Sequence, residues 1–146
     1  MNHEKLLDQY ARLTVRSGLC ITPGQQLLIS APIEAVPLVR RITHHAYVAG
    51  ATLVTTLYAD DQATLTRFQS ASNASFDTAA SWLFNGMAEA FRGGAARLAI
   101  TGEDPGLLGG QDPEKVSRAN RARSKAYRPA LELITSAKDG LKAAVN

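Results

Sequence analysis

The chain has 146 residues, 45% hydrophobic and 20% charged, with a formal net charge of +3, the size and composition of one globular domain, which at this length buries roughly 68–70% of its unfolded surface. A single cysteine excludes an internal disulfide, and no apolar run nears the ~18 residues of a membrane span. The polar start, Met1-Asn2-His3-Glu4-Lys5, lacks the apolar stretch of a signal peptide, so the expectation is a soluble cytoplasmic domain without a membrane partner.

The first helix is predicted over residues 2–17, with Leu6, Tyr10 and Leu13 at i, i+4, i+7 and Leu7 beside them. Gly18 is expected to end it, because glycine takes a left-handed cap at least cost. Pro23-Gly24 turns the chain into a short apolar strand, residues 26–30, which Pro32 breaks. A helix over 34–49 sets Ala35, Leu38, Val39, Ile42, Ala46 and Ala49 on one face. Pro37 is tolerated there, since the amides of a first turn have no internal partner to lose. Gly50 leads into a β-branched strand, residues 51–58, and this strand–helix–strand unit predicts parallel pairing.

A helix over 61–70 and another over 75–92 follow, the second burying Phe76, Ala80, Leu83, Phe84, Met87 and Phe91, with Trp82 also read as core. Gly93-Gly94 stops it before a third strand, residues 96–101. A glycine-rich loop reaches Asp112-Pro113-Glu114, which is an N-cap, a proline at the first helical position and an early acid. The helix this opens runs towards Ile134 with Pro129 inside it. The fold class is therefore α/β: an open, mainly parallel sheet with helices on its faces, Rossmann-like without a dinucleotide fingerprint. The domain is placed at residues 1–135, and residues 136–146 read as a polar tail with neither strand alternation nor a helical face.

The predicted strands end in acids: Glu34 after the first, Asp60 and Asp61 after the second, Glu103 and Asp104 after the third. In an open parallel sheet these lie along the carboxyl edge, where ligands bind, and such carboxylates suit a hard cation like Mg²⁺. Helix chemistry explains most of them as well, because acids favour helix N-termini through capping and the macrodipole. Glu103-Asp104 is the least explained pair, since no helix starts there.

Six cations and no acid lie between Lys115 and Arg128, and Lys115, Arg118, Arg121, Lys125 and Arg128 recur at three- and four-residue steps along one helix face. A stripe of this kind binds phosphates or nucleic acid, or is simply solvated. With little aromatic interleaving beyond Tyr127, bases have no stacking platform, and nucleic acid is not the expected partner. The turn Ser30-Ala31-Pro32-Ile33-Glu34 has no glycine for a dinucleotide phosphate, and no Gly-Lys-Ser/Thr loop occurs. His3, His44, His45 and Cys20 are not spaced as a chelate, since helical ligands need one turn between them.

Three stretches carry a family resemblance. The first is Leu7-Asp8-Gln9-Tyr10-Ala11 with Pro23-Gly24-Gln25-Gln26-Leu27-Leu28-Ile29, and the second is Glu34-Ala35-Val36-Pro37-Leu38-Val39-Arg40. The third is Leu98-Ala99-Ile100-Thr101-Gly102-Glu103-Asp104-Pro105, followed by Ser117-Arg118-Ala119-Asn120 and Ser124-Lys125-Ala126-Tyr127-Arg128-Pro129-Ala130. Together they resemble the N-terminal domain of the thermophilic-type metallo-aminopeptidases, the family of aminopeptidases T, S and II, as far as about Thr135. The resemblance implies a two-domain, homodimeric, cytoplasmic parent that removes N-terminal residues from peptides with a pair of divalent ions, zinc, cobalt or manganese. Its metal ligands belong to a C-terminal catalytic domain, so no catalytic or metal residue carries over, and no tightly bound metal is expected on this chain. Beyond Thr135 the sequence departs from the family pattern. A truncated product, an excised domain and a stand-alone binding module all remain open.

Overall fold

The computed structural model describes residues 2–102, 104–136 and 142–145, with the backbone alone for residues 135, 136 and 142–145. The described residues group into two compact units: residues 2–59, 93–102 and 142–145, and residues 60–92 and 104–136.

The first unit contains α1 (His3–Leu13), a π-helical turn (Thr14–Leu19), β1 (Gln26–Pro32), α2 (Val36–Val48), β2 (Leu53–Ala59), β3 (Ala96–Ile100) and β4 (Lys142–Val145). Its four strands are all parallel in the order β2-β1-β3-β4, with Gln26 beside Leu53 and Leu27 beside Ala96. The core forms on one sheet face: Leu27, Ile29 and Ala31 of β1 and Leu98 and Ile100 of β3 meet Ala11, Val15 and Leu19, and Val39, Ile42 and Ala46 of α2. The predicted α2 face is therefore the observed one.

Other expectations change. The periodic residues of α1, Leu6, Tyr10 and Leu13, are 49%, 45% and 61% exposed, and the side of the helix that packs is Ala11, continued by Thr14 and Val15 of the π turn. Helices pack closely through small side chains, and alanine contributes little to a pattern read from large apolar residues. The left-handed residue is Cys20, at φ 51°, while Gly18 lies inside the π turn. Gly50 does need its freedom: φ is 104°, and a Cβ there would stand 2.9 Å from Pro23 Cα. It sits in a brace in which the Gly24 amide donates to the Gly50 carbonyl (2.9 Å) and the Thr52 amide to the Gln25 carbonyl (2.8 Å). Residues 142–145, read as tail, form β4 against β3, because parallel ladder bonds need no side-chain alternation.

The second unit holds α3 (Asp61–Ser70), a 3₁₀ segment (Asn73–Asp77), α4 (Ser81–Arg92) and α5 (Pro113–Ser136). The helix expected from residue 75 thus begins at Ser81. Phe76 belongs to the 3₁₀ segment, fully buried with its ring 5.2 Å from that of Phe68 and in one cluster with Ala119. Trp82, read as core, is 77% exposed. It lies about 200° around the helix from buried Phe84. The α5 start is as predicted, with Asp112 Oδ1 accepting from the Glu114 amide (2.9 Å).

Candidate functional site

The acids at the strand ends have local uses. Asp60 is the N-cap of α3, its Oδ1 accepting from the Gln62 amide (3.2 Å). Asp61 follows in the first turn of that helix, and its Oδ2 accepts from the Asp104 amide (3.3 Å). Asp104 in turn accepts from the Gly106 amide (2.9 Å), folding its own loop. The structure thus joins Asp61 to the Asp104 backbone, which the sequence order does not reveal. Glu34 is exposed in the 3₁₀ turn Ile33–Ala35 of the first unit, where an early acid is favourable. Glu103 lies outside the described residues.

The cationic stripe of α5 divides in two. Arg118 grips the 3₁₀ segment: its Nε and Nη2 donate to the two Asp77 carboxylate oxygens (2.9 and 2.6 Å), while Nη1 and Nη2 reach Asn73 Oδ1 and its carbonyl (2.7 and 3.0 Å). The Arg118 hydrogen bond, with the charges of Arg118 and Arg121, holds the Asp77 carboxyl below its ordinary range, and the same bond, with the charges of Asp77, Glu114 and Asp112, raises the Arg118 guanidinium further. Lys115 Nζ sits 5.2 Å over the Phe76 ring. Two of the five stripe cations therefore serve the fold. Arg121, Lys125 and Arg128 are exposed. Arg123, between them in sequence, stacks at 5.8 Å on Phe84 and 5.6 Å on Tyr127.

One polar constellation was not anticipated. Asp8 Oδ1 of α1 lies 3.0 Å from His45 Nε2 and 3.5 Å from Arg41 Nη1, both on α2. The His45 hydrogen bond, aided by the His45 and Arg41 charges, lowers the Asp8 pKa below the ordinary carboxylate value. Arg41 and His45 at i, i+4 share a face, but only packing of α1 on α2 brings Asp8 to it. Asp8 rims two shallow grooves; one also carries His3, Glu4, Arg40, Arg41 and His44, mixing imidazoles and acids with two fixed cations.

These side chains do not fit a dinuclear metal centre. Among the described residues no three His, Cys, Asp or Glu side chains converge as a donor set. A hydrolytic metal needs at least three fixed donors and an open position. No helix among the described residues is long and apolar enough to cross a membrane.

Comparison with known proteins agrees with the fold. The family model described as Thermophilic metalloprotease (M29) matches residues 3–140. Aminopeptidase T of Thermus thermophilus is 48% identical over 129 residues, covering 88% of this chain and 32% of the relative. Aminopeptidase 2 of Geobacillus stearothermophilus is 39% identical over 131 residues, again covering 32% of its length. The solved structure of wild-type AmpT from Thermus thermophilus superposes with a TM-score of 0.92 at 44% identity, over 99% of this chain and 36% of that one. The chain spans about a third of the length of these relatives.

Proposed function

The chain belongs to the Thermophilic metalloprotease (M29) family, and on that basis we propose that it is the N-terminal scaffold and assembly domain of a metal-dependent aminopeptidase. In this reading a C-terminal catalytic domain supplies the pair of divalent ions, zinc, cobalt or manganese. The parent is a cytoplasmic homodimer that removes N-terminal residues from peptides. The observation that carries the scaffold role is the exposed α1 ridge of Leu6, Tyr10 and Leu13, beside the buried core that Ala11 joins. Half-exposed large side chains at i, i+4, i+7 are what one helix offers to another protein surface. The names of the relatives, each an aminopeptidase, support the activity of the parent.

A second reading is anion binding through Arg121, Lys125 and Arg128, favoured by their exposure on one face of α5. Its mark would be steep salt dependence of binding to a polyanion. The carboxyl-edge reading gains less, because Asp60, Asp61 and Asp104 already serve as caps and turn acceptors.

Assays of the purified chain on leucine and arginine reporter peptides with cobalt, zinc or manganese test the scaffold reading, alongside titration calorimetry of each ion. The expected result is no metal-dependent turnover and no tight binding. Turnover that disappears on Asp104→Ala would instead place chemistry on this domain.

A further inference from the structure

We propose that the groove between α1 and α2 binds a free α-amino acid as its zwitterion, with Glu4 taking the ammonium and Arg40 the carboxylate. The binding stands apart from the functional reading above, under which free amino acids are what the parent releases. The groove lies wholly in the first unit and offers about 590 Å³. Small-molecule sites occupy roughly 300–1,000 Å³.

Charge decides what this groove accepts. Its lining carries two acids, Glu4 and Asp8 of α1, and two arginines, Arg40 and Arg41 of α2. A plain anion would meet the acids and a plain cation the arginines, so the electrostatic complement is a molecule that bears both signs. The four side chains are not equivalent. Asp8 is already engaged by His45 (3.0 Å) and Arg41 (3.5 Å). Glu4 and Arg40 are exposed, and neither side chain has a hydrogen bond or ion pair with another described residue. One carboxylate and one guanidinium, on two packed helices, are therefore free for a ligand. Arginine holds a carboxylate through two parallel N–H donors, and a carboxylate accepts in turn from an ammonium.

The rest of the lining suits the same ligand. Half-buried Leu7 and the Pro37 ring supply apolar surface, against which an aliphatic side chain gains by leaving water. The His44 ring stands edge-on to that of His45, with centroids 5.3 Å apart at 70°, and Asp8 holds His45. The engaged trio of Asp8, Arg41 and His45 thus steadies the wall, which lowers the ordering cost of binding. His3, at the start of α1, adds a further hydrogen-bonding ring to the groove.

Amide chemical-shift perturbation of the full chain by leucine tests this. Saturable shifts are expected on α1 and α2. N-acetylleucine, which lacks the ammonium, and leucinamide, which lacks the carboxylate, should each bind about five- to tenfold more weakly, the scale of one charged contact at a partly exposed site. Glu4→Gln should weaken leucine but not N-acetylleucine, whereas Arg40→Met should weaken leucine but not leucinamide. Both side chains are exposed, so neither substitution threatens the fold. Peptide hydrolysis enters none of these arms, so they hold or fail apart from the aminopeptidase reading. No saturable shift up to the solubility limit of leucine overturns the proposal. So does equal binding of the three compounds, or a leucine affinity indifferent to both substitutions.

Discussion

In the first unit the buried surface is a sheet face, with aliphatic side chains from β1 and β3 under two helices. In the second, besides Phe84, Met87 and Ala88 of α4, it includes one ring, Phe76, held in a 3₁₀ segment that one arginine before it in sequence and one after it both grip. Arg67 of α3 bonds the Ser75 hydroxyl (2.9 Å), the Ser75 carbonyl and the Thr78 carbonyl (2.9 Å), and Arg118 of α5 forks onto Asp77 and Asn73. The first arrangement follows from hydrophobic periodicity, which is spread over many residues. The second depends on a few polar contacts between segments 8 to 45 residues apart. A core of distributed contacts tolerates the loss of one polar group, whereas the turn around Phe76 has few substitutes for any of its holders.

Cavity-forming substitutions should give the largest effects and separate the units. Phe76→Ala is expected to cost about 3–5 kcal/mol and Ile29→Ala about 2–5 kcal/mol. Amide hydrogen exchange separates the two units, since residues 60–92 report the second and residues 2–59 the first. In dilute urea, Phe76→Ala should speed exchange in the second unit before the first. If Arg118→Met speeds exchange there more than Phe76→Ala does, the ring is not the anchor.

Backbone substitutions sharpen the contrast inside the first unit. Gly50→Ala is expected to destabilise by about 1–3 kcal/mol, from its left-handed φ and the approach of Pro23. Gly18→Ala meets nothing within 4 Å and should be neutral or stabilising by roughly 0.5–1 kcal/mol. Equal thermal midpoints for the two variants would contradict the bracing role of the Gly50 turn.

Much of the first unit could be read from sequence because strands and α2 carry strong local signals: β-branched runs, a continuous apolar face, and glycines at turns. The α1 face could not be assigned, since Leu6, Tyr10 and Leu13 repeat identically whether a helix faces its own core or another surface. The left-handed Cys20 was hidden by Gly18 two residues earlier, a better candidate on propensity alone. Of the candidate site residues, the cap at Asp60 followed from its place before a helix. The engagement of Arg118 with Asp77, and of His45 with Asp8, depends on tertiary proximity that no spacing encodes.

Acid should act on both units with the same sign. Asp8 and Asp77 have folded pKa values below the ordinary 3.8. Their stabilisation is therefore present above that value and disappears as pH falls through the lowered folded pKa. Thermal midpoints of Asp8→Asn and Asp77→Asn should lie below the parent at neutral pH and converge with it in strong acid. Because both carboxylates are solvent-exposed, the differences should be small and reduced by salt. A gap that widens below pH 3.8 would contradict these assignments. The smallest effect concerns Trp82, whose native fluorescence should be quenched by acrylamide nearly as readily as in the unfolded chain.

The scaffold reading is tested most directly by exchange. Replacing the matching third of Thermus thermophilus aminopeptidase T with this chain should yield an enzyme that hydrolyses leucine reporter peptides with added metal. Its activity should survive Asp60→Ala, Asp61→Ala and Asp104→Ala, and fall together with assembly on Leu6→Glu, Tyr10→Glu and Leu13→Glu. A well-folded chimera whose activity is abolished by the strand-end acid substitutions, yet indifferent to the α1 ridge, would contradict it.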